Sequence, residues 1–265
     1  MLNFASNDLI ELGEIDYNFD YSSTPTAHRN DAVKILGEKI SLPTINVEVE
    51  RERLISHLEN SLAQFSSTLV MGRTGTGKTT LAADFAKQKN YAVAWYKVET
   101  TDGDWKVFLG YLTESLRQCQ TKSKSLCQYE TSFAKTESLS VTESLAARFA
   151  VIEAEKPLLI VLDDLHSVFD ADWFGEFFNA LLSLPTPNVR LLLLARAAPP
   201  FPLWRLRSKH VLDVVDEKLL AFTVPETIEL FRNYKLSENA ARSAHKRAYG
   251  RIAKLREIAE KKAVR

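Results

Sequence analysis

The sequence of 265 residues has few cysteines and no surplus of charge of either sign. Neither of its two cysteines, Cys119 and Cys127, has histidines or further cysteines clustered around it, which argues against a zinc site and against a disulfide framework. The 34 lysines and arginines balance the 34 aspartates and glutamates, so the formal net charge is zero. This balance predicts no general attraction to nucleic acid or to anionic membranes.

Long apolar runs are missing as well. The longest, near residues 158–162 and 191–195, are far shorter than the roughly 20 residues that span a bilayer. No early segment joins a basic flank to an apolar core, so we expect no signal peptide. A cytoplasmic protein without membrane contact is the expectation.

The middle of the chain alternates apolar strands with amphipathic helices. The runs at 67–71, 158–163 and 189–195 are apolar without alternation, as in strands that are buried on both faces. Together with strands at 91–98 and 210–215, they predict a parallel sheet covered by helices on both faces. We expect an irregular amino-terminal arm at 1–43, a sheet domain at 44–215 and a helical subdomain at 216–265.

A glycine-rich loop follows the strand at 67–71 and precedes a helix. It fits the pattern G-x-x-x-x-G-K-[ST] at every fixed position, so that its amides can surround a phosphate at a helix N-terminus. Lys78 can reach the β- and γ-phosphates, and the Thr79 hydroxyl can bind Mg²⁺. The expected ligand is ATP or ADP with Mg²⁺. The predicted binding residues are Gly72, Arg73, Thr74, Gly75, Thr76, Gly77, Lys78, Thr79 and Thr80.

Two further strand ends carry polar residues that suit a triphosphate site. Asp163 and Asp164 end the strand at 158–163: Asp163 is predicted to hold Mg²⁺ with Thr79, and Asp164 to orient a water. Arg196 follows the strand at 189–195, where its guanidinium could contact a γ-phosphate. We therefore predict catalytic roles for Lys78, Asp164 and Arg196. His166 we interpret as a structural residue.

These motifs resemble the STAND-type P-loop NTPases, above all the nucleotide-binding module of MalT-like, LuxR-type bacterial transcription regulators. The resemblance covers about 42–255. It rests on the loop and on VERERLI at 49–55, AWYKV at 94–98, DDLH at 163–166, LARAAPPFPLWRLR at 194–207 and LLAFT at 219–223. Gly250 and Leu255 also match a motif of the helical subdomain, but Arg251 stands where that family usually has tryptophan.

The resemblance implies an α/β fold, the P-loop NTPase three-layer sandwich, with a parallel sheet in the order 5-1-4-3-2 and a small C-terminal helical subdomain. It also implies ATP exchange or slow hydrolysis, with ATP favouring the active or assembled form, and it implies that Arg51 lies near the base or sugar. Members of the family continue into a winged helix, a helical-repeat sensor and a helix-turn-helix. The chain is then either a fragment of a longer regulator or a short stand-alone NTPase.

Three functions fit these expectations. The first is a nucleotide switch of a signalling or transcription regulator, with weak Mg²⁺-dependent ATPase activity. The second is an AAA-like ATPase clamp that assembles on DNA, of the transposition-helper type, which the basic segment 251–265 favours. The third, a small-molecule kinase, lacks an acceptor-binding motif. Self-association or a partner protein is expected, whereas a DNA contact cannot be assigned to particular residues.

Overall fold

The computed structural model describes residues 35–119, 140–150, 156–183 and 188–263; most of the predicted arm and of the polar stretch 121–141, including Cys127, lies outside them. Within these ranges five parallel strands form one sheet in the order β2-β3-β4-β1-β5. This order is 5-1-4-3-2 counted from the other edge, so the predicted topology is confirmed. The strands are β1 (Ser67–Met71), β2 (Ala92–Lys97), β3 (Leu158–Asp163), β4 (Val189–Ala195) and β5 (Leu212–Val215).

Helices connect the strands and follow the last one. None of the helices within the described ranges is long and apolar enough to cross a membrane. Two of the shorter helices, Leu203–Ser208 and Glu217–Leu220, are not predicted by the sequence pattern. The α-helices are Gly37–Ile40, Glu52–Gln64, Lys78–Gln88, Trp105–Cys119, Val141–Ala150, Phe174–Ser183, Leu203–Ser208, Glu217–Leu220, Val224–Asn233, Glu238–Ala248 and Ile252–Ala263, with 3-10 turns at Thr100–Gly103 and Leu165–Val168.

Both faces of the sheet are buried, which explains why the central strands are apolar throughout. In β3, Leu158 and Ile160 pack into one core, whereas Leu159 and Val161 pack into the core on the opposite face. Successive side chains of a strand point to opposite faces, so a strand between two helical layers needs apolar residues at every position. The first core is closed by the helices at 105–119, 141–150 and 174–183, the second by those at 52–64 and 78–88. The structure is thus the predicted three-layer sandwich.

Aromatic rings dominate the first core. Phe177 is fully buried, and its ring lies 4.8 Å from that of Phe108 and 5.6 Å from that of Trp173. Phe177→Ala is expected to lower the free energy of unfolding by about 3–5 kcal/mol, because it removes buried surface and leaves a cavity. Urea unfolding measures this loss. The control Trp204→Ala removes a ring that is 68 % exposed and should change stability by no more than about 0.5 kcal/mol.

A third core belongs to the helical bundle formed by the last three helices, Val224–Asn233, Glu238–Ala248 and Ile252–Ala263. Val49 is buried in this core although it lies far away in sequence. The neighbouring Glu48 carboxylate accepts hydrogen bonds from Arg256 at 2.9 Å and from the Tyr234 hydroxyl at 3.0 Å. The Glu48 carbonyl accepts a third from Asn233 at 2.6 Å. Glu48 and Val49 are therefore packed with the bundle rather than with the sheet.

Candidate functional site

The predicted phosphate loop runs from the end of β1 to the helix Lys78–Gln88. Gly77 precedes that helix with φ of +86°, a left-handed conformation that side chains rarely adopt, and a Cβ there would lie 3.1 Å from Arg51 Nη2. The Thr76 hydroxyl donates to the Arg73 carbonyl at 2.8 Å and closes the loop on itself. The loop thus has the curled shape, followed by a helix N-terminus, that suits a bound phosphate.

Lys78 lies in the mouth of this loop. Its side chain is buried, and its ammonium group donates to the carbonyls of Gly72 at 2.6 Å and Arg73 at 3.3 Å. Burial lowers the pKa of Lys78, and the negative charges of Asp164 and Asp163 oppose this shift. The ammonium is held by neutral carbonyls, so an anionic phosphate would be a stronger partner for it.

Asp163 and Thr79 meet at the carboxyl end of β3. The Thr79 hydroxyl donates to Asp163 Oδ2 at 2.9 Å, and the Asp163 side chain is buried. Burial, together with the charge of Asp164, raises the pKa of Asp163 to about 6, although the hydrogen bonds from Thr79 and the Asp164 amide oppose the shift. Hydroxyl and carboxylate oxygens are the ligands that Mg²⁺ takes from proteins, usually in small number. The pair therefore fits the predicted magnesium ligands.

Asp164, Arg196 and His166 lie together beside this pair. Asp164 has φ of +54°, in the left-handed region, and its amide donates to Asp163 Oδ1 at 2.9 Å. Its own carboxylate oxygen Oδ1 lies 3.4 Å from Arg196 Nε and 3.7 Å from His166 Nδ1. Adjacent parallel strands, β3 and β4, end at the same edge of the sheet and bring the two predicted catalytic side chains together.

Arg51 lies under the phosphate loop. Its guanidinium donates to the carbonyls of Gly77 and Leu220, both at 3.2 Å, and stands 5.2 Å from the ring centre of Phe222. Burial lowers the pKa of Arg51 to about 10. The side chain thus joins the loop to the connection that leads into the helical bundle, a position that the sequence motif did not reveal.

A shallow cleft with a cavity volume of about 140 Å³, partly open to solvent, begins beside the phosphate loop. The predicted residues that line it are Arg51, Gly75, Gly77 and Thr80. The others come from the segment 46–49 and from the far side of the cleft, and sequence reasoning missed them: Asn46, Val47, Glu48, Val49, Phe222, Ile252, Ala253 and Arg256.

The residues after β5 contact the phosphate loop directly. The Ala253 amide donates to the Gly75 carbonyl at 3.2 Å, and Arg251 Nη2 donates to the Thr74 carbonyl at 3.3 Å. The exposed side chain of Arg73 forms a salt bridge of 2.7 Å with Glu217. Arg73, Thr74 and Gly75 therefore contact the helical segments in this structure, whereas Lys78 donates to carbonyls of the loop itself.

Arg53, on the helix Glu52–Gln64, also contacts the connection that leads from β5 into the helical bundle. Its guanidinium donates to the carbonyls of Leu219 at 2.7 Å and Ala221 at 2.6 Å, and it forms a salt bridge of 2.8 Å with Glu226. Arg51 and Arg53 together bind three consecutive carbonyls, at positions 219–221. The motif at 49–55 predicted neither contact, because both join residues more than 160 positions apart in the sequence.

The chain matches one protein-family model and is similar in sequence to several known proteins. A family model described as "AAA ATPase domain" matches residues 48–194, more than half of the chain. The chain is 32 % identical over 206 residues to the HTH-type transcriptional regulator MalT of Serratia proteamaculans, which covers 74 % of this chain and 22 % of that protein. It is 27 % identical over 169 residues to the serine/threonine-protein kinase PknK of Mycobacterium tuberculosis, covering 62 % of this chain and 15 % of that protein.

Among solved structures, the chain is similar to a Walker-type ATPase of Pyrococcus abyssi, with a TM-score of 0.47 and 13 % identity over 81 % of this chain and 71 % of that one. The chain spans only about a fifth of the length of the MalT regulators that it matches.

Proposed function

Because the chain belongs to the AAA ATPase domain family, we propose that it is a nucleotide-dependent switch module of a signalling or transcription regulator, in which ATP favours the active or assembled state. One observation carries the proposal: the helical segments after β5 contact the same loop that is shaped for phosphate, through Arg251 and Ala253. Phosphate in the loop and the position of the helical bundle are thereby coupled.

In this proposal each side chain of the site has one task. Lys78 binds the β- and γ-phosphates, and Arg196 makes a charge-assisted contact with the γ-phosphate that ADP lacks. Thr79 and Asp163 would hold Mg²⁺, which when bound neutralises phosphate charge. Asp164 orients the attacking water for slow hydrolysis. The base and sugar occupy the cleft above Arg51.

The likeness to MalT, which is named as a transcriptional regulator, supports a switch rather than a metabolic enzyme. So does the construction of the cleft: one wall is the phosphate loop of the sheet, and the other consists of residues such as Ile252 and Arg256 from the bundle. A nucleotide in this cleft would contact both parts at once. Its binding energy can then favour one arrangement of the two parts over another.

The experiment is a titration of the purified chain with ATP and with ADP in the presence of Mg²⁺. Calorimetry should show micromolar binding of both, phosphate release should be slow, and light scattering should show a larger mass with ATP than with ADP. The absence of binding heat for both nucleotides would refute the nucleotide site. Binding with the same mass in both states would leave the site intact and refute the assembly switch.

A second candidate, an ATPase clamp on DNA, is favoured by the surface of the helical bundle. Lys246, Arg247 and Lys254 are exposed, and no ion pair is found for them within the described ranges. Tyr249 beside them is 84 % exposed. Cations and an exposed ring suit a nucleic-acid backbone and its bases. Binding to a DNA duplex that weakens steeply with salt, in the presence of ATP, would favour the clamp over the switch.

A further inference from the structure

His166 lies on the 3-10 turn Leu165–Val168, immediately after the two aspartates that end β3. Its Nδ1 atom is buried and, among the residues that the structure describes, accepts or donates no hydrogen bond, although the ring is only partly covered. A buried polar atom without a hydrogen bond is costly and calls for an explanation. The carboxylate oxygen Asp164 Oδ1 lies 3.7 Å from this nitrogen. That distance is slightly too long for a hydrogen bond and short enough to become one after a small movement.

The charge state of His166 suits a contact with a carboxylate. Burial lowers the pKa of His166, the charge and the backbone of Asp164 oppose this shift, and the cations Arg196 and Lys78 add to it. A neutral imidazole carries one N–H group, and an adjacent carboxylate favours the tautomer with that hydrogen on the nitrogen that faces it. When the two atoms approach to hydrogen-bond distance, Nδ1 is the donor and Asp164 Oδ1 the acceptor.

Asp164 contacts Asp163 through its backbone. Its φ of +54° is left-handed, and its amide donates to Asp163 Oδ1, so this bond does not hold the Asp164 carboxylate. The Asp164 carboxylate oxygen Oδ1 lies 3.4 Å from Arg196 Nε and 3.7 Å from His166 Nδ1, and the charge of Lys78 also acts on it. In the function proposed above, Arg196 and Lys78 both turn to the phosphates when ATP binds, and of these three neighbours His166 then remains to hold Asp164.

We propose that His166 is a positioning residue: its Nδ1–H binds Asp164 Oδ1 and fixes the carboxylate at the point from which it orients water toward the γ-phosphate. The inference rests on the proposed function, since it requires hydrolysis at this site. A displacement of about 1 Å in such a group can cost up to about 100-fold in rate. His166 itself contacts neither the phosphate nor the water.

Three substitutions test the assignment. Asparagine places an amide nitrogen where Nδ1 of histidine lies, whereas glutamine places one near Nε2, and alanine places none. His166→Ala and His166→Gln are expected to lower kcat by about tenfold or more and to leave the Kd for ATP within about twofold. His166→Asn is expected to keep kcat within about threefold of the parent.

A double variant separates positioning from packing. If His166 acts through Asp164, then Asp164→Ala combined with His166→Ala should be no slower than Asp164→Ala alone. The proposal is overturned if His166→Ala leaves kcat unchanged, if His166→Gln rescues kcat and His166→Asn does not, or if the losses in the double variant multiply. A matching fall in kcat, ATP affinity and melting temperature of both His166→Ala and His166→Asn would show a structural role instead.

Nucleotide binding and phosphate release by the unsubstituted parent protein separate a failure of this proposal from a failure of the function on which it rests. A parent that binds no nucleotide contradicts the proposed function itself. If the parent binds ATP and never releases phosphate, a nucleotide site exists but positioning by His166 is refuted. When the parent binds and hydrolyses ATP, the three substitutions decide the question.

Discussion

Lys78→Ala is expected to abolish ATP binding, with a Kd at least about 100-fold higher than that of the parent. The ammonium group is buried in the loop mouth and donates there to the carbonyls of Gly72 and Arg73. A triphosphate would replace these neutral partners with charged oxygens, and alanine offers no donor at this place. Titration calorimetry with Mg²⁺ and ATP measures the difference.

The matched control is Lys87→Ala, which removes an exposed lysine from the last turn of the same helix. It should bind ATP as the parent does. Lys78→Ala should also remain folded, because the substitution removes a desolvated charge from a buried position. If folded Lys78→Ala binds ATP with the affinity of the parent, the loop does not bind phosphate and the assignment of the site is wrong.

Asp164→Ala is expected to bind ATP normally and to hydrolyse it about 100-fold more slowly. The carboxylate is not one of the predicted magnesium ligands, and it lies beside Arg196 on the side of the site assigned to the γ-phosphate. Its removal takes away the group that orients water and leaves the loop, Lys78 and the Asp163–Thr79 pair in place. Phosphate release under saturating ATP measures the rate.

Asp170→Ala serves as the control, since Asp170 is an exposed acid on the segment that follows the same strand. Its rate should equal that of the parent. Equal rates for Asp164→Ala and the parent would show that another group positions the water. A loss of ATP binding in Asp164→Ala would instead give this carboxylate a role in holding the nucleotide.

The sheet could be predicted because its sequence signals are local. β3 and β4 contain no polar residue before their last positions except Arg190, whose side chain donates to the Leu62 carbonyl at 2.7 Å. Strands that are apolar at successive positions fit only a sheet with two covered faces. The glycine-rich loop was equally recognisable, because its chemistry depends on residues within one short stretch. The order of the strands came from the family resemblance.

Long-range contacts could not be predicted in the same way. The motif that contains Arg51 suggested a place near the base or sugar, and the contact of its guanidinium with Leu220 depends on how two distant segments pack. The helices Leu203–Ser208 and Glu217–Leu220 have six and four residues, too few for a recognisable periodicity. The sequence shows His166 as a lone histidine after a strand, a pattern more often structural than catalytic, and nothing in a linear sequence indicates that its Nδ1 atom is buried.

The burial of Val49 within the bundle means that the described backbone crosses between sheet and bundle three times. Leu42 and Ile45 still pack on the sheet, so the first crossing lies just before Val49. The second is at 50–51, before the helix Glu52–Gln64, and the third follows β5 at 216–222. Arg51 and Arg53 tie the third crossing to the second through the carbonyls of 219–221. We expect these two adjoining crossings to act as one hinge. In the proposed function, opening this hinge would lift Ala253 from the loop and widen the cleft, so release of a nucleotide and rotation of the bundle would be a single motion.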